Sequence, residues 1–160
     1  MGIGKSVKKV DALPKVMGTA KYVEDMIPQN AVYAKVLHST IASGVVKSID
    51  CTEARAMEGV EAVLTCFDVP QKPYATAGHP LVLDPAHGDV ADRYILSRRV
   101  RFYGDEIACV AATDALTAQR AIETIKVTYE EFPPVFTPEQ AIGAAHAINP
   151  DYPDNELARL

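Results

Sequence analysis

An α+β domain, a mixed sheet with short helices, is what the 160-residue sequence predicts. Three observations lead there. Residues 107–112, Ile-Ala-Cys-Val-Ala-Ala, are continuously apolar, as expected of a strand covered on both faces. Residues 126–131 alternate, with Val127 and Tyr129 against Lys126, Thr128 and Glu130, as a half-buried strand does. Between them Ala118, Ala121, Ile122 and Ile125 fall at i, i+3, i+4 and i+7, the single apolar stripe of a helix that Thr113 or Asp114 can cap.

The remaining elements follow from local signals. Residues 1–25 mix Lys, Asp, Pro and Gly without a steady period and read as an extended opening segment punctuated by Pro14 and Gly18. Residues 31–39 and 44–51 are β-rich, and the short connection through 40–44 predicts that the two strands pair with each other. Thr52 precedes strong helix formers as an N-cap, giving a two-turn helix that Gly59 ends as a C′ residue free to take positive φ. A strand over 60–67 closes at Asp68-Val-Pro70, and residues 71–92, with neither period, form a long loop. Residues 94–103 set Tyr94, Leu96, Arg98 and Val100 opposite Ile95, Ser97, Arg99 and Arg101, and arginines on both faces predict an edge strand. Pro133-Pro134 breaks the chain, 138–142 form a short helical turn, and the proline- and aspartate-bearing residues from Asn149 read as linker. Because an apolar strand and a one-stripe helix bury their faces against each other, Ile107, Val110 and Ile122 are expected in one core.

Composition narrows the function classes. A domain of this size buries roughly 70% of its unfolded surface and needs no staples. Sixteen basic against 21 acidic residues give a net charge of -5, which argues against a nucleic-acid or anionic-membrane partner. Cys51, Cys66 and Cys109 are odd in number and lack Cys-x-x-Cys spacing, so neither a disulfide framework nor a zinc site is expected, and the compartment is read as reducing. No apolar run approaches the roughly 20 residues of a membrane span, and no secretory signal is seen. Met1-Gly-Ile-Gly-Lys-Ser6 matches a myristoylation pattern and the tail of a phosphate loop, but the latter has no preceding strand and the wrong glycine spacing.

Four constellations invite a chemical reading, and each has a plainer one. Asp84, His87, Asp89 and Asp92 concentrate oxygen and imidazole ligands, yet their spacing suits neither a calcium loop nor a catalytic zinc, so a solvated loop is expected. His79 sits between Gly78 and Pro80 without a recognisable acid–base partner; His38, His87 and His146 stand out even less. Arg93, Arg98, Arg99 and Arg101 alternate with Tyr94, Phe102 and Tyr103, a mixture that nucleic-acid sites use, but on an acidic chain a charged edge strand or an ion-paired interdomain surface is the better reading. Cys109, within the apolar run, is expected to be structural, because a reactive thiol needs an exposed electropositive site. No residue is assigned a catalytic, cofactor-binding or metal-binding role.

Two stretches carry a family likeness. Asp11-Ala-Leu-Pro-Lys-Val-Met-Gly-Thr-Ala-Lys-Tyr-Val-Glu-Asp25 and Gly104-Asp-Glu-Ile-Ala-Cys-Val-Ala-Ala112 resemble the opening segment and the buried strand of molybdenum hydroxylase large subunits, the xanthine dehydrogenase and aldehyde oxidase family. Ile49-Asp50, Gly59-Val-Glu-Ala-Val-Leu-Thr65 and Phe67-Asp-Val-Pro70 fall between them in the family's order, with Glu58 where the family usually has proline. Tyr74-Ala-Thr-Ala-Gly-His-Pro80, Ala91-Asp-Arg-Tyr-Ile-Leu-Ser-Arg-Arg99 and Asp114-Ala-Leu-Thr-Ala118 are most similar to bacterial molybdenum-binding subunits of xanthine dehydrogenase type.

The resemblance implies an α/β hammerhead domain over 1–145, with 1–25 as its opening segment, and a linker over 146–160 toward a molybdopterin-binding domain that this sequence does not include. It also implies a cytoplasmic enzyme of purine metabolism that hydroxylates xanthine or a related heterocycle. Molybdopterin would be held elsewhere in the large subunit, and 2Fe-2S clusters and FAD in partner subunits or domains. This chain alone is then expected to be inactive and to hold no cofactor. Its partners would be the rest of the molybdopterin subunit and the iron–sulphur and FAD subunits. From its length and its apolar Tyr74, Leu81, Val82 and Leu83, the 71–92 loop is expected to dock on the rest of the molybdopterin subunit. The alternatives are a stand-alone binding module recognising its partner through that loop, and a small enzyme using the aspartate–histidine stretch.

Overall fold

The computed structural model describes residues 3–75 and 91–156. The chain divides into two compact units, Met1–Ala31 and Val32–Leu160.

The first unit is less extended than its composition predicts. A short helix, α1 (Ala12–Val16), follows Asp11, and a 3-10 turn occupies Glu24–Met26. Pro14 falls in the first turn of α1, where a missing N–H breaks no helical bond, and Gly18, at φ +70°, takes the C′ position that favours glycine. The stop signals were present in the sequence; what was missing was an apolar stripe to announce a helix, because no residue of α1 is buried. Lys15 and Asp11 add an exposed i,i+4 pair at 2.5 Å.

The second unit is α+β, with every strand pair among the described residues antiparallel. Its strands are β1 (Tyr33–His38), β2 (Gly44–Asp50), β3 (Val60–Thr65), β4 (Arg99–Val100), β5 (Glu106–Ala112) and β6 (Lys126–Glu131). Two short helices, α2 (Thr52–Ala56) and α4 (Pro138–Ala141), accompany the longer α3 (Ala115–Thr124). One sheet runs β1-β5-β3 and the other β4-β2-β6.

β1 and β2 do not pair, contrary to the expectation from their short connection: β1 lies on β5 and β2 on β6. The link crosses between sheets because its own residues are wanted inside. Ser39 and Ile41 are buried, and the Ser39 N–H donates to the Asp105 carbonyl at 2.8 Å. The strand, helix, strand order β5-α3-β6 is present, with its two strands in different sheets.

β5 is the central strand of its sheet, and its two faces feed two clusters of the core, which Leu37 and Ile49 border in common. Ile107 packs with Ile41, Val46, Cys66, Leu96 and Val100. Val110 packs with Cys51, Ala54, Val63, Ala121 and Ile122. The expected single cluster of Ile107, Val110 and Ile122 is therefore wrong for Ile107. Positions three apart on a strand point to opposite faces, so only Val110 can meet the stripe of α3.

Caps explain the helix boundaries. Asp114 accepts from the Leu116 and Thr117 N–H groups, both at 2.9 Å, and starts α3, so of the two residues that could cap it Asp114 does. Thr52 is not the N-cap of α2: it is the first helical residue, and Asp50 accepts from its N–H at 3.0 Å and its hydroxyl at 2.6 Å. With its hydroxyl engaged by a carboxylate two residues back, Thr52 is free to adopt helical backbone. Gly59 takes φ +85°, and its carbonyl accepts from Thr113 N–H at 2.8 Å, which ties the turn after α2 to the end of β5.

These carboxylates make acid response a test of the caps. Hydrogen bonds from Thr52, Thr65 and Thr117 hold Asp50, Asp68 and Asp114 below the usual carboxylate value. A lowered native pKa contributes stability that is present above the unfolded value and lost as pH falls through the native one. Asp114→Asn should accordingly weaken the acid sensitivity of the unfolding midpoint, and a titration superimposable on wild type would sink the assignment.

Candidate functional site

The arginine-rich segment is where the described structure gathers polar chemistry. Its ten-residue alternation becomes a two-residue strand, β4, at the edge of the second sheet beside β2. Leu96 and Val100, from one of the two alternating faces, reach the core, but the alternation is lost at Ser97, which is buried and donates its hydroxyl to the Arg99 carbonyl at 2.5 Å. Arg98, from the same face as Leu96 and Val100, is exposed. Backbone bonds hold the segment between sheets: Val46 N–H donates to the Arg98 carbonyl at 2.9 Å, and Ser97 N–H to the Glu106 carbonyl at 2.7 Å.

Each arginine has a different occupation. Arg93 lies 3.9 Å from Asp105 and 3.6 Å from Glu106, over the Phe102 ring. Arg98 lies over Phe67 and donates to the Val46 carbonyl at 3.3 Å. Arg101 is paired with Asp92 at 2.9 Å. Arg99 sits over Phe132, whose other neighbour is His146 in a stack 4.9 Å between centroids, and donates to the Ala147 carbonyl at 2.7 Å. Burial, with Arg101 nearby, lowers the Arg99 pKa. A cavity of about 340 Å³ opens here, with Tyr94, Arg98, Arg99 and Arg101 on one side and Asn149 and Asp151 on another. The 146–156 stretch is thereby tied to the domain, and Asn155 adds side-chain bonds to the Ile148 N–H and the Ala141 carbonyl.

Sequence reasoning missed a buried polar hub next to this segment. The Ser39 hydroxyl oxygen accepts from the Gly104 and Asp105 N–H groups at 3.2 and 3.1 Å and donates to the Phe102 carbonyl at 3.2 Å. Asp105, 2% exposed, accepts from Arg101 N–H at 2.8 Å. Burial raises its pKa against the pull of Arg101 and Arg93. Only Gly104-Asp-Glu preceding the apolar run hinted at such a turn. A raised native pKa makes the sign opposite to that of the capping aspartates: the native state keeps a proton the unfolded chain releases, and stability is lost as pH rises through the native value. Asp105→Asn should thus gain on wild type as pH rises above the ordinary aspartate value of about 3.9; an advantage shrinking with pH would refute the sign.

The other candidates separate. The His38 Nδ1–H donates to the Gly104 carbonyl at 2.8 Å, far in role from the stacked His146. Cys51 and Cys66 are buried, and desolvation raises all three thiols, Cys66 to about 11, in keeping with a structural Cys109. His79, Asp84, His87 and Asp89, and residues 76–90 of the predicted docking loop, lie outside the described residues. Its flanks are joined by reciprocal backbone bonds of Tyr74 and Arg93 at 2.8 and 3.1 Å. Among the described residues no three His, Cys, Asp or Glu side chains converge as a metal-ion site would require. No described helix is long and apolar enough to cross a membrane.

A family model for the aldehyde oxidase and xanthine dehydrogenase a/b hammerhead domain matches residues 17–133. The chain belongs to this family. The xanthine dehydrogenase molybdenum-binding subunit of Escherichia coli O157:H7 is 45% identical over 134 residues, 84% of this chain and 18% of that protein. The nicotinate dehydrogenase large molybdopterin subunit of Eubacterium barkeri is 39% identical over 140 residues, 88% of this chain and 31% of that protein. The aldehyde oxidoreductase structure from Desulfovibrio gigas superposes with a TM-score of 0.70 at 33% identity, covering 90% of this chain and 16% of that one. The first two relatives are named as molybdenum-binding or molybdopterin subunits, and this hammerhead domain spans less than a third of the length of each of the three.

Proposed function

We propose that the chain is the N-terminal structural domain of the large subunit of a xanthine dehydrogenase-like enzyme, which hydroxylates xanthine or a related heterocycle. Residues 1–145 form the hammerhead domain and 146–160 lead on to the molybdopterin-binding part. Molybdopterin would be held there, and 2Fe-2S clusters and FAD in partner subunits or domains would supply the electron-transfer chemistry of this cytoplasmic enzyme. The observation that carries the reading is the 45% identity to a xanthine dehydrogenase molybdenum-binding subunit across 84% of this chain. The described residues offer the domain scaffolding: strands, two cores and an ion-paired edge.

A domain exchange tests it. Substituting this chain for the matching 134 residues of the Escherichia coli subunit should give an enzyme that retains molybdenum and reduces dye with xanthine. The isolated chain should do neither. A chimera that fails to assemble or to retain molybdenum would overturn the domain assignment, and turnover by the isolated chain would overturn the structural role.

A further inference from the structure

The Arg99 guanidinium is a charge awaiting a counter-charge. Its Nε is buried and has no hydrogen-bond partner among the described residues. Its contacts there are neutral, the Ala147 carbonyl and the Phe132 ring. A buried N–H left unmade costs more than an ordinary hydrogen bond gains. The cations beside it are already engaged, Arg101 with Asp92 and Arg98 with Phe67 and the Val46 carbonyl. Asp151 lines the same cavity without forming an ion pair with Arg99.

We propose that this cavity receives a carboxylate side chain from the remainder of the large subunit, which pairs with Arg99 and takes the free Nε–H. The inference rests on the reading of the chain as one domain of that subunit. Two features favour this occupant. A planar guanidinium fork matches a carboxylate, which can accept from Nε and a terminal nitrogen together. Asn149, Pro150 and Asp151, from the stretch that in the proposed arrangement leads toward the rest of the subunit, also line the cavity.

Two measurements test the proposal separately. In the chain itself, sodium acetate should raise the thermal midpoint above that in sodium chloride at equal ionic strength, and Arg99→Met should abolish the difference while Arg55→Met keeps it. This arm needs no large subunit and stands or falls with the cavity. In the second arm, Arg99→Met should leave the isolated chain's midpoint unchanged or higher and lower that of the assembled large subunit, with Arg99→Lys intermediate. Equal losses in both settings would place the counter-charge within this chain and overturn the proposal, as would an acetate effect that survives Arg99→Met.

Discussion

Ile107→Ala is expected to destabilise the protein by about 2–5 kcal/mol, the sum of lost transfer energy and the cavity left behind. Ile107 is fully buried between the sheets, against Val46, Leu96 and Val100, on the face of β5 turned away from α3. Ile122→Ala, on the other face against Val110 and Ala121, should cost a similar amount. The two-core arrangement then makes a sharper statement than either loss. Mutations without shared partners usually add to within about 0.3–0.5 kcal/mol, whereas residues in contact couple by more. Denaturant unfolding of the Ile107→Ala, Ile122→Ala double variant should therefore come close to the sum of the single losses, short of it only by what Leu37 and Ile49, which border both clusters, transmit, while Val110→Ala with Ile122→Ala should depart from the sum by more. Lys126→Ala, whose side chain makes an exposed pair with Glu53, should unfold near wild type. Strong coupling between Ile107 and Ile122 would show that the two clusters are one.

Signals confined to a few neighbouring residues were legible in the sequence. The apolar run of β5, the stripe and Asp114 cap of α3 and the alternation of β6 each depend on local periodicity, and each stands close to its predicted bounds. What was not legible was the partner. The short 39–43 link looks like a hairpin, and only the burial of Ser39 and Ile41 shows that it passes from one sheet to the other. Whether Ile107 shares a core with Ile122 likewise depends on a second sheet that no local period announces. The site follows the same division. Four arginines near one edge could be read from the chain, but not that Asp92 engages Arg101 while Arg99 keeps an unpartnered Nε. The Ser39–Asp105 hub joins positions 66 residues apart, and a serine and an aspartate at that separation carry no pattern.

Gly44→Ala should be about as damaging as a core truncation, through crowding instead of a cavity. Gly44 opens β2, paired with Val100 on one side and Glu131 on the other, so its backbone is fixed by both neighbours in the sheet. A Cβ there would meet the Glu130 carbonyl oxygen and lie 2.6 Å from Cδ1 of Ile41. The side-chain contact could be relieved by a rotamer change, but the carbonyl belongs to β6 and can retreat only if the strand pair opens. Overpacking typically costs about 1–3 kcal/mol where neighbours can shift, and a fixed backbone places this substitution at or beyond about 3 kcal/mol. Shortening the mobile partner should not rescue it: Gly44→Ala with Ile41→Val should remain as unstable as Gly44→Ala alone. Gly104→Ala supplies the contrast, because nothing lies within 4 Å of its added Cβ and the cost there comes only from holding alanine at φ +102°. Urea midpoints should rank wild type first, Gly104→Ala next and Gly44→Ala last, and a Gly44→Ala midpoint above that of Gly104→Ala would mean that β2 and β6 can separate at that end without loss.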